Sequence, residues 1–150
     1  MPRLAHDFMH PDPITIRPDM PFLEIQHLFV VGNVGGAPVV DDRGAVVGMI
    51  SAKDLLRVVD QACDDEVDAE PALENARVPR PGAEALPERL ESLTALDVAT
   101  PDVVWVSPST PIDRVAHLMR REGIHRVLVG DQGRLAGILT TFDLLMAVAG

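Results

Sequence analysis

In the second half of the chain, apolar residues come in short runs around one longer stretch of helical spacing. Ile112, Val115, Ala116 and Met119 recur at the three- and four-residue intervals of a single helix face. Val103-Val104-Trp105-Val106 lies before them, and Val127-Val129 and Leu135-Leu139 lie after, each short enough to read as a strand. Asp131-Gln132-Gly133 is a tight turn, so the last two strands form a hairpin. Thr110-Pro111-Ile112-Asp113 predicts a helix start with Thr110 as N-cap, Pro111 at the first helical position and Asp113 closing a capping box. Gly123 stops that helix. Thr140 caps a final helix over residues 142–148. The predicted order is strand, helix, strand, strand, helix.

The first half repeats this order. It predicts a strand over residues 14–16, a helix over 22–31, strands over 38–40 and 46–50 around a turn at Asp41–Gly44, and a helix over 53–59. The identities repeat as well: Asp7, Pro11, Pro18, Pro21, His27-Leu28, Val39 and Asp41 recur 90 positions later. After a turn one residue shorter in the second copy, Gly44, Gly48 and Asp54-Leu55-Leu56 recur 89 positions later. A single slip confined to a turn is how a structural repeat absorbs a length change. Met20 stands where Thr110 does, so the first copy lacks the polar cap. The fold class is α+β, with repeat 1 over residues 4–59, a connector over 60–92 and repeat 2 over 93–149. A three-stranded sheet with helices on one face leaves its other face to be buried, and the sister repeat can bury it. Halves of roughly 55 residues are marginal alone, so the two are expected to share a core with pseudo-two-fold symmetry.

Charge separates the connector from the repeats. The chain carries a net −10; residues 60–92 hold ten acidic residues against Arg77, Arg80 and Arg89, leaving only −3 for the rest. With Pro71, Pro79, Pro81 and Pro87, this reads as a solvated connector, with Pro87 opening a short helix through Leu90, Leu93 and Leu96. The acidic balance argues against nucleic acid and against an anionic membrane surface. No apolar run approaches the ~20 residues of a membrane span. One cysteine, Cys63, fits a reducing, cytoplasmic setting, and no Cys/His cluster has metal-site spacing. With four Phe, one Trp and no Tyr, the core is expected to be aliphatic. His27 and His117 hold equivalent helix positions and read as structural. Trp105 reads as core or interface, and Met119 and Met146 as apolar helix-face residues. Ser107 and Ser109 have no His/Asp partner set that would make them nucleophiles.

One motif follows each third strand: Gly48-Met49-Ile50-Ser51-Ala52-Lys53-Asp54 and Gly137-Ile138-Leu139-Thr140-Thr141-Phe142-Asp143. A hydroxyl three residues before an acid is a capping box, worth about 1 kcal/mol with no ligand at all. The same pair on a helix start lining a cleft also suits a ribose, with free N–H groups nearby for a phosphate. The motif, its tandem duplication and the flanking Leu96-Asp97-Val98-Ala99-Thr100-Pro101, Gly123-Ile124-His125-Arg126-Val127-Leu128-Val129 and Gly35-Gly36-Ala37-Pro38-Val39-Val40-Asp41 resemble a pair of CBS domains (the cystathionine β-synthase module), or Bateman module. The resemblance covers roughly residues 4–59 and 93–149.

That resemblance implies two clefts for adenosyl regulatory ligands: AMP, ADP, ATP or S-adenosylmethionine. It places ribose contacts on Ser51, Asp54, Thr140 and Asp143, and phosphate contacts on His125 and Arg126. Ala37, Pro38, Val127 and Leu128 would line the adenine slot. Repeat 1 has Gly35-Gly36 where repeat 2 has His125-Arg126, so its cleft lacks the matching cation unless Lys53 substitutes. The sites are therefore expected to be unequal, with the Thr140/Asp143 cleft the better binder. The function expected is a stand-alone regulatory binding module, homodimeric, signalling to a regulated partner protein and not itself an enzyme. The alternative is a scaffold with empty clefts; alanine at Asp54 and Asp143 discriminates the two.

Overall fold

The computed structural model describes residues 2–67, 86–131 and 133–149. Repeat 1 contains α1 (Ala5–Phe8), α2 (Phe22–Gly32), β1 (Gly36–Val40), β2 (Val46–Ser51) and α3 (Ala52–Val67). After α4 (Leu86–Leu90), repeat 2 contains α5 (Ala95–Val98), β3 (Trp105–Val106), α6 (Ile112–Glu122), β4 (Arg126–Asp131), β5 (Arg134–Thr140) and α7 (Thr141–Ala149). β1 and β2 pair antiparallel, as do β4 and β5, and β3 adds to β4 in parallel. Both predicted hairpins form, each with a register shift one residue before its turn region, at Val39/Val40 and Val129/Gly130. The mixed helix and strand content is the α+β architecture expected.

Several predicted elements differ, each for a local reason. The strand expected over residues 14–16 is a single parallel bridge, Ile16 to Val39. Pro13 and Pro18 flank it and supply no N–H, so only Ile16 exchanges hydrogen bonds with β1. β3 likewise contracts to Trp105–Val106. Helix α3 runs on to Val67 instead of stopping at 59, because Ala62 reaches the repeat 1 core. The Pro87 helix ends at Leu90. Leu96 belongs to α5, a separate turn started by Thr94, whose N–H and hydroxyl both bond the Asp97 carboxylate. Connector residues 68–85 lie outside the described residues.

The beginning of each repeat packs on the other repeat. Ala95 and Val98 of α5 sit in a core with Ile16, Phe22, Ile25, Phe29, Val39 and Ile50. Ala5 of α1 sits in a second core with Val106, Val115, Met119, Val127, Val129 and Leu139. Phe22 and Phe29 are the aromatic part of an otherwise aliphatic interior. The exchange also caps helices. The Ile112 N–H at the start of α6 bonds the Arg3 carbonyl, and the Phe22 N–H at the start of α2 bonds the Leu93 carbonyl. Both are backbone caps delivered from the other repeat. This corrects the expected Thr110 cap: Pro111, extended at φ −62° and ψ 143°, is the N-cap, with no side-chain cap bond. The Thr110 carbonyl is occupied by the Ala5 N–H. It also explains why Met20 can replace Thr110, since neither position needs a polar side chain. Gly123, at φ 68°, ends α6 as predicted, and Asn33, at φ 53°, ends α2 in the same left-handed conformation.

The crossing segments account for the glycine that opens each motif. Met49 and Thr100 exchange both backbone hydrogen bonds, as do His10 and Ile138. A Cβ on Gly137 would stand 2.6 Å from both the His10 carbonyl oxygen and Met9 Sδ. A Cβ on Gly48 would stand 3.0 Å from the Thr100 carbonyl oxygen. Glycine is there because a chain lies against the strand.

Candidate functional site

The two motif loops close in the same way. The Asp54 carboxylate takes the Ser51 N–H at 2.8 Å and the Ser51 hydroxyl at 3.0 Å, both on Oδ2. Asp143 takes the Thr140 N–H at 2.8 Å and its hydroxyl at 2.9 Å, again on Oδ2. The hydroxyl accepts the acid's own N–H at 3.3 Å in each case. Both are reciprocal capping boxes. They are held against the sheet by the next N–H groups: Ala52 bonds the Gly35 carbonyl and Thr141 the His125 carbonyl, each at 3.0 Å. Three of the amide donors expected to await a phosphate at each helix start are therefore already engaged.

What each loop leaves outward is the second carboxylate oxygen. On Asp54 it is held by the Arg57 guanidinium one turn along α3. On Asp143 it is held by His10 Nε2 at 3.1 Å, and His10 comes from the crossing segment. His10 is 64% exposed and Asp143 12%, so the histidine can swing into water while the carboxylate stays. Asp54 is the one buried charged residue among the described residues.

Beside the second loop is a cleft of about 440 Å³. Thr140, Ile138 and Arg126 line it from β4 and β5. Gly35 and Gly36 line it from repeat 1, and His10, Asp12, Pro13 and Ile14 from the crossing segment. Pro13, Ile14, Val34 and Ile138 give it apolar walls; Arg126 gives it a cation. Burial pulls the Arg126 pKa down from its ordinary value, and the negative charge of Asp54 partly offsets this. Among the described residues Arg126 has no carboxylate within ion-pair distance, so its charge is open to a ligand.

The other sequence-predicted residues fall elsewhere. Ser51 and Asp54 stand together on their own loop, seated on the cleft-lining Gly36 but not themselves part of the lining. Ala37 and Pro38 of β1 and Val127 and Leu128 of β4 are buried in the interior and do not form an open slot. Lys53 is exposed on the first turn of α3, and His125 is exposed beside β4; neither lines the cleft. The contribution of His125 that the structure resolves is its carbonyl, which also accepts the Thr141 hydroxyl. Sequence reasoning missed His10, Asp12, Pro13, Ile14 and Val34. The available signal was the repeated Pro-Asp of Pro11-Asp12 and Pro101-Asp102, a segment too polar and too short to read as an element.

Comparison with known proteins adds the family. The model described as CBS domain matches residues 5–61 and 95–150. An uncharacterised protein of Methanocaldococcus jannaschii, MJ1426, is 32% identical over 91% of this chain and 86% of its own length. The chain spans 41% of a second protein of that organism, MJ1225, and 20% of the inosine-5'-monophosphate dehydrogenase of Mycobacterium tuberculosis, at 27% and 30% identity. Among solved structures, the CBS domain of a CBS domain containing membrane protein from Sphaerobacter thermophilus is 33% identical, with TM-score 0.71, covering 95% of this chain and 86% of that one. CBSX2 in complex with AMP is 26% identical, with TM-score 0.73, covering 97% and 96%. The CBS-pair protein CBSX2 has also been solved from Arabidopsis thaliana.

Proposed function

Because this chain belongs to the CBS-domain family and carries the module as a tandem pair, we propose that it is a regulatory module that binds an adenosine-containing ligand, with AMP, ADP or ATP first in rank, and signals to a partner protein. The observation that carries this reading is the cleft in which Arg126, Thr140 and apolar walls meet beside the Asp143 loop. The AMP complex of CBSX2 supports it. Ile14, Val34 and Ile138 would flank the base. The ribose would approach Asp143 Oδ1 and displace His10, because Oδ2 is committed to the capping box. The phosphate would take Arg126. In repeat 1 the same approach to Asp54 must displace Arg57, an always-charged partner, which makes that loop the weaker of the two. Arg126 also ranks a phosphate above S-adenosylmethionine, whose sulfonium it would repel.

Binding that displaces His10 acts on the crossing segment, and through it on both repeats, which is the route by which occupancy would reach a partner. The reading includes a homodimer in a reducing compartment such as the cytoplasm, and no catalytic role. Val30 and Leu56, both more than 65% exposed, rim an apolar groove between α2 and α3, and α7 exposes Phe142, Leu145 and Met146. Patches of this kind support self-association. Leu56→Glu together with Phe142→Glu is expected to convert a dimer to a monomer in sedimentation.

The test of function is calorimetric titration of ligand-stripped protein with AMP, ATP and S-adenosylmethionine. AMP should bind, and Asp143→Ala should weaken it at least about tenfold. No heat with any of the three from folded protein would reject the reading and leave the scaffold alternative.

A further inference from the structure

Arg126 opens β4 at the position where Gly36 opens β1. Its guanidinium lies on the opposite repeat. A Cβ on Gly36 would stand 2.8 Å from its Cζ, Nε and Nη1, and one on Gly35 would stand 3.0 Å from its Nη2. Gly35 and Gly36 are the seat of the first motif loop: Gly36 pairs with Ser51, and the Gly35 carbonyl takes the Ala52 N–H. On its own side Arg126 pairs with Thr140 and lines the Thr140 cleft. One guanidinium therefore lies against the seat of the first motif loop, where the Asp54 charge reaches it, and lines the cleft beside the second. Repeat 1 cannot return the favour, because it has glycine at both positions where repeat 2 has His125 and Arg126. Any side chain at Gly36 would take the space where the guanidinium lies.

We propose that Arg126 is a single cation shared by the two motif loops, so that the chain takes one phosphate-bearing adenosyl ligand at a time, whereas an uncharged nucleoside is free of this limit. The two loops compete for one positive charge, and a phosphate that draws Arg126 to one side deprives the other. Gly35 and Gly36 then serve to clear the path the arginine spans. This rests on the nucleotide reading above and adds to it a stoichiometry and a coupling between the two motif loops.

Titration of ligand-stripped protein with AMP and, separately, with adenosine tests it. Wild type should bind AMP once per chain, with any second event at least about tenfold weaker. Arg126→Gln should lose at least about tenfold in AMP affinity while keeping adenosine affinity within about twofold, and adenosine binding by the variant reports that it is folded. Two equal AMP events in wild type, or an Arg126→Gln variant that still prefers AMP over adenosine as wild type does, would overturn the shared cation while leaving the nucleotide reading standing. Binding of neither AMP nor adenosine would overturn both.

Discussion

Gly137→Ala would place a methyl group 2.6 Å from the His10 carbonyl oxygen and 2.6 Å from Met9 Sδ. Unstrained contacts of carbon lie at roughly 3.5 Å or more, so the crossing segment has to retreat by about 1 Å. The thioether can turn aside; the carbonyl is backbone and cannot. It carries one of the two hydrogen bonds that join His10 to Ile138, at 2.9 and 3.1 Å. Losing both costs about 1 kcal/mol each. Loosening Ala5 and Met9, which pack with the second core, adds about 1 kcal/mol more, for a total of about 2–4 kcal/mol. Gly48→Ala meets the Thr100 carbonyl only at 3.0 Å and should cost less, about 1 kcal/mol. Gly44→Ala is the control: nothing lies within 4 Å, and its penalty of about 1–2 kcal/mol comes from φ +84° alone. Urea unfolding read at constant m-value gives the three stabilities. Hydrogen exchange at the His10 and Ile138 amides shows whether the crossing segment has lifted, which Gly44→Ala should not cause. A Gly137→Ala protein within 0.5 kcal/mol of wild type, a threshold set by about the usual scatter of neutral surface changes, would refute the steric argument.

Asp143→Asn keeps an oxygen for the Thr140 N–H but loses the charge facing the cleft. It should lower nucleotide affinity about tenfold in calorimetry while changing the unfolding free energy by less than about 1 kcal/mol. Asp97→Ala removes the acceptor of both Thr94 bonds and should cost about 1 kcal/mol in urea unfolding, although α5 is only one turn long. The Asp41 carboxyl sits below its ordinary value of 3.8 because it accepts the Ala45 and Arg43 N–H groups in the hairpin turn. A depressed folded value means the stabilisation is complete above pH 3.8 and is lost as pH falls through the folded value. Asp41→Ala should therefore flatten the acid limb of a stability–pH profile below pH 3.8 relative to wild type.

The duplication, the two hairpins and the two capping loops were legible in the chain because each depends on neighbours. A hydroxyl three residues before an acid closes on itself, and Gly133, at φ 80°, turns the chain after Asp131 whatever lies around it. The strand over residues 14–16 and the Thr110 cap were misread for the opposite reason. Ile16 pairs only where prolines allow, and α6 is capped by the Arg3 carbonyl, which no local pattern announces. The cleft divides in the same way. Thr140, Asp143 and Arg126 are visible in the motif and its flank, whereas His10 meets Asp143 across 133 positions.

The chain's local pattern is enough to give two copies of one α+β unit, and to place a hydroxyl, an acid and a glycine in each. Short-range hydrogen bonding and apolar periodicity decide those features, and both act within a few residues. Long-range packing sets the rest: each copy's first turn is buried in the other, the motif glycines are landing places for the chain that follows those turns, and one arginine lies over the glycines of the opposite repeat. These follow from burial, which joins segments by shape and apolar area without regard to their separation along the chain.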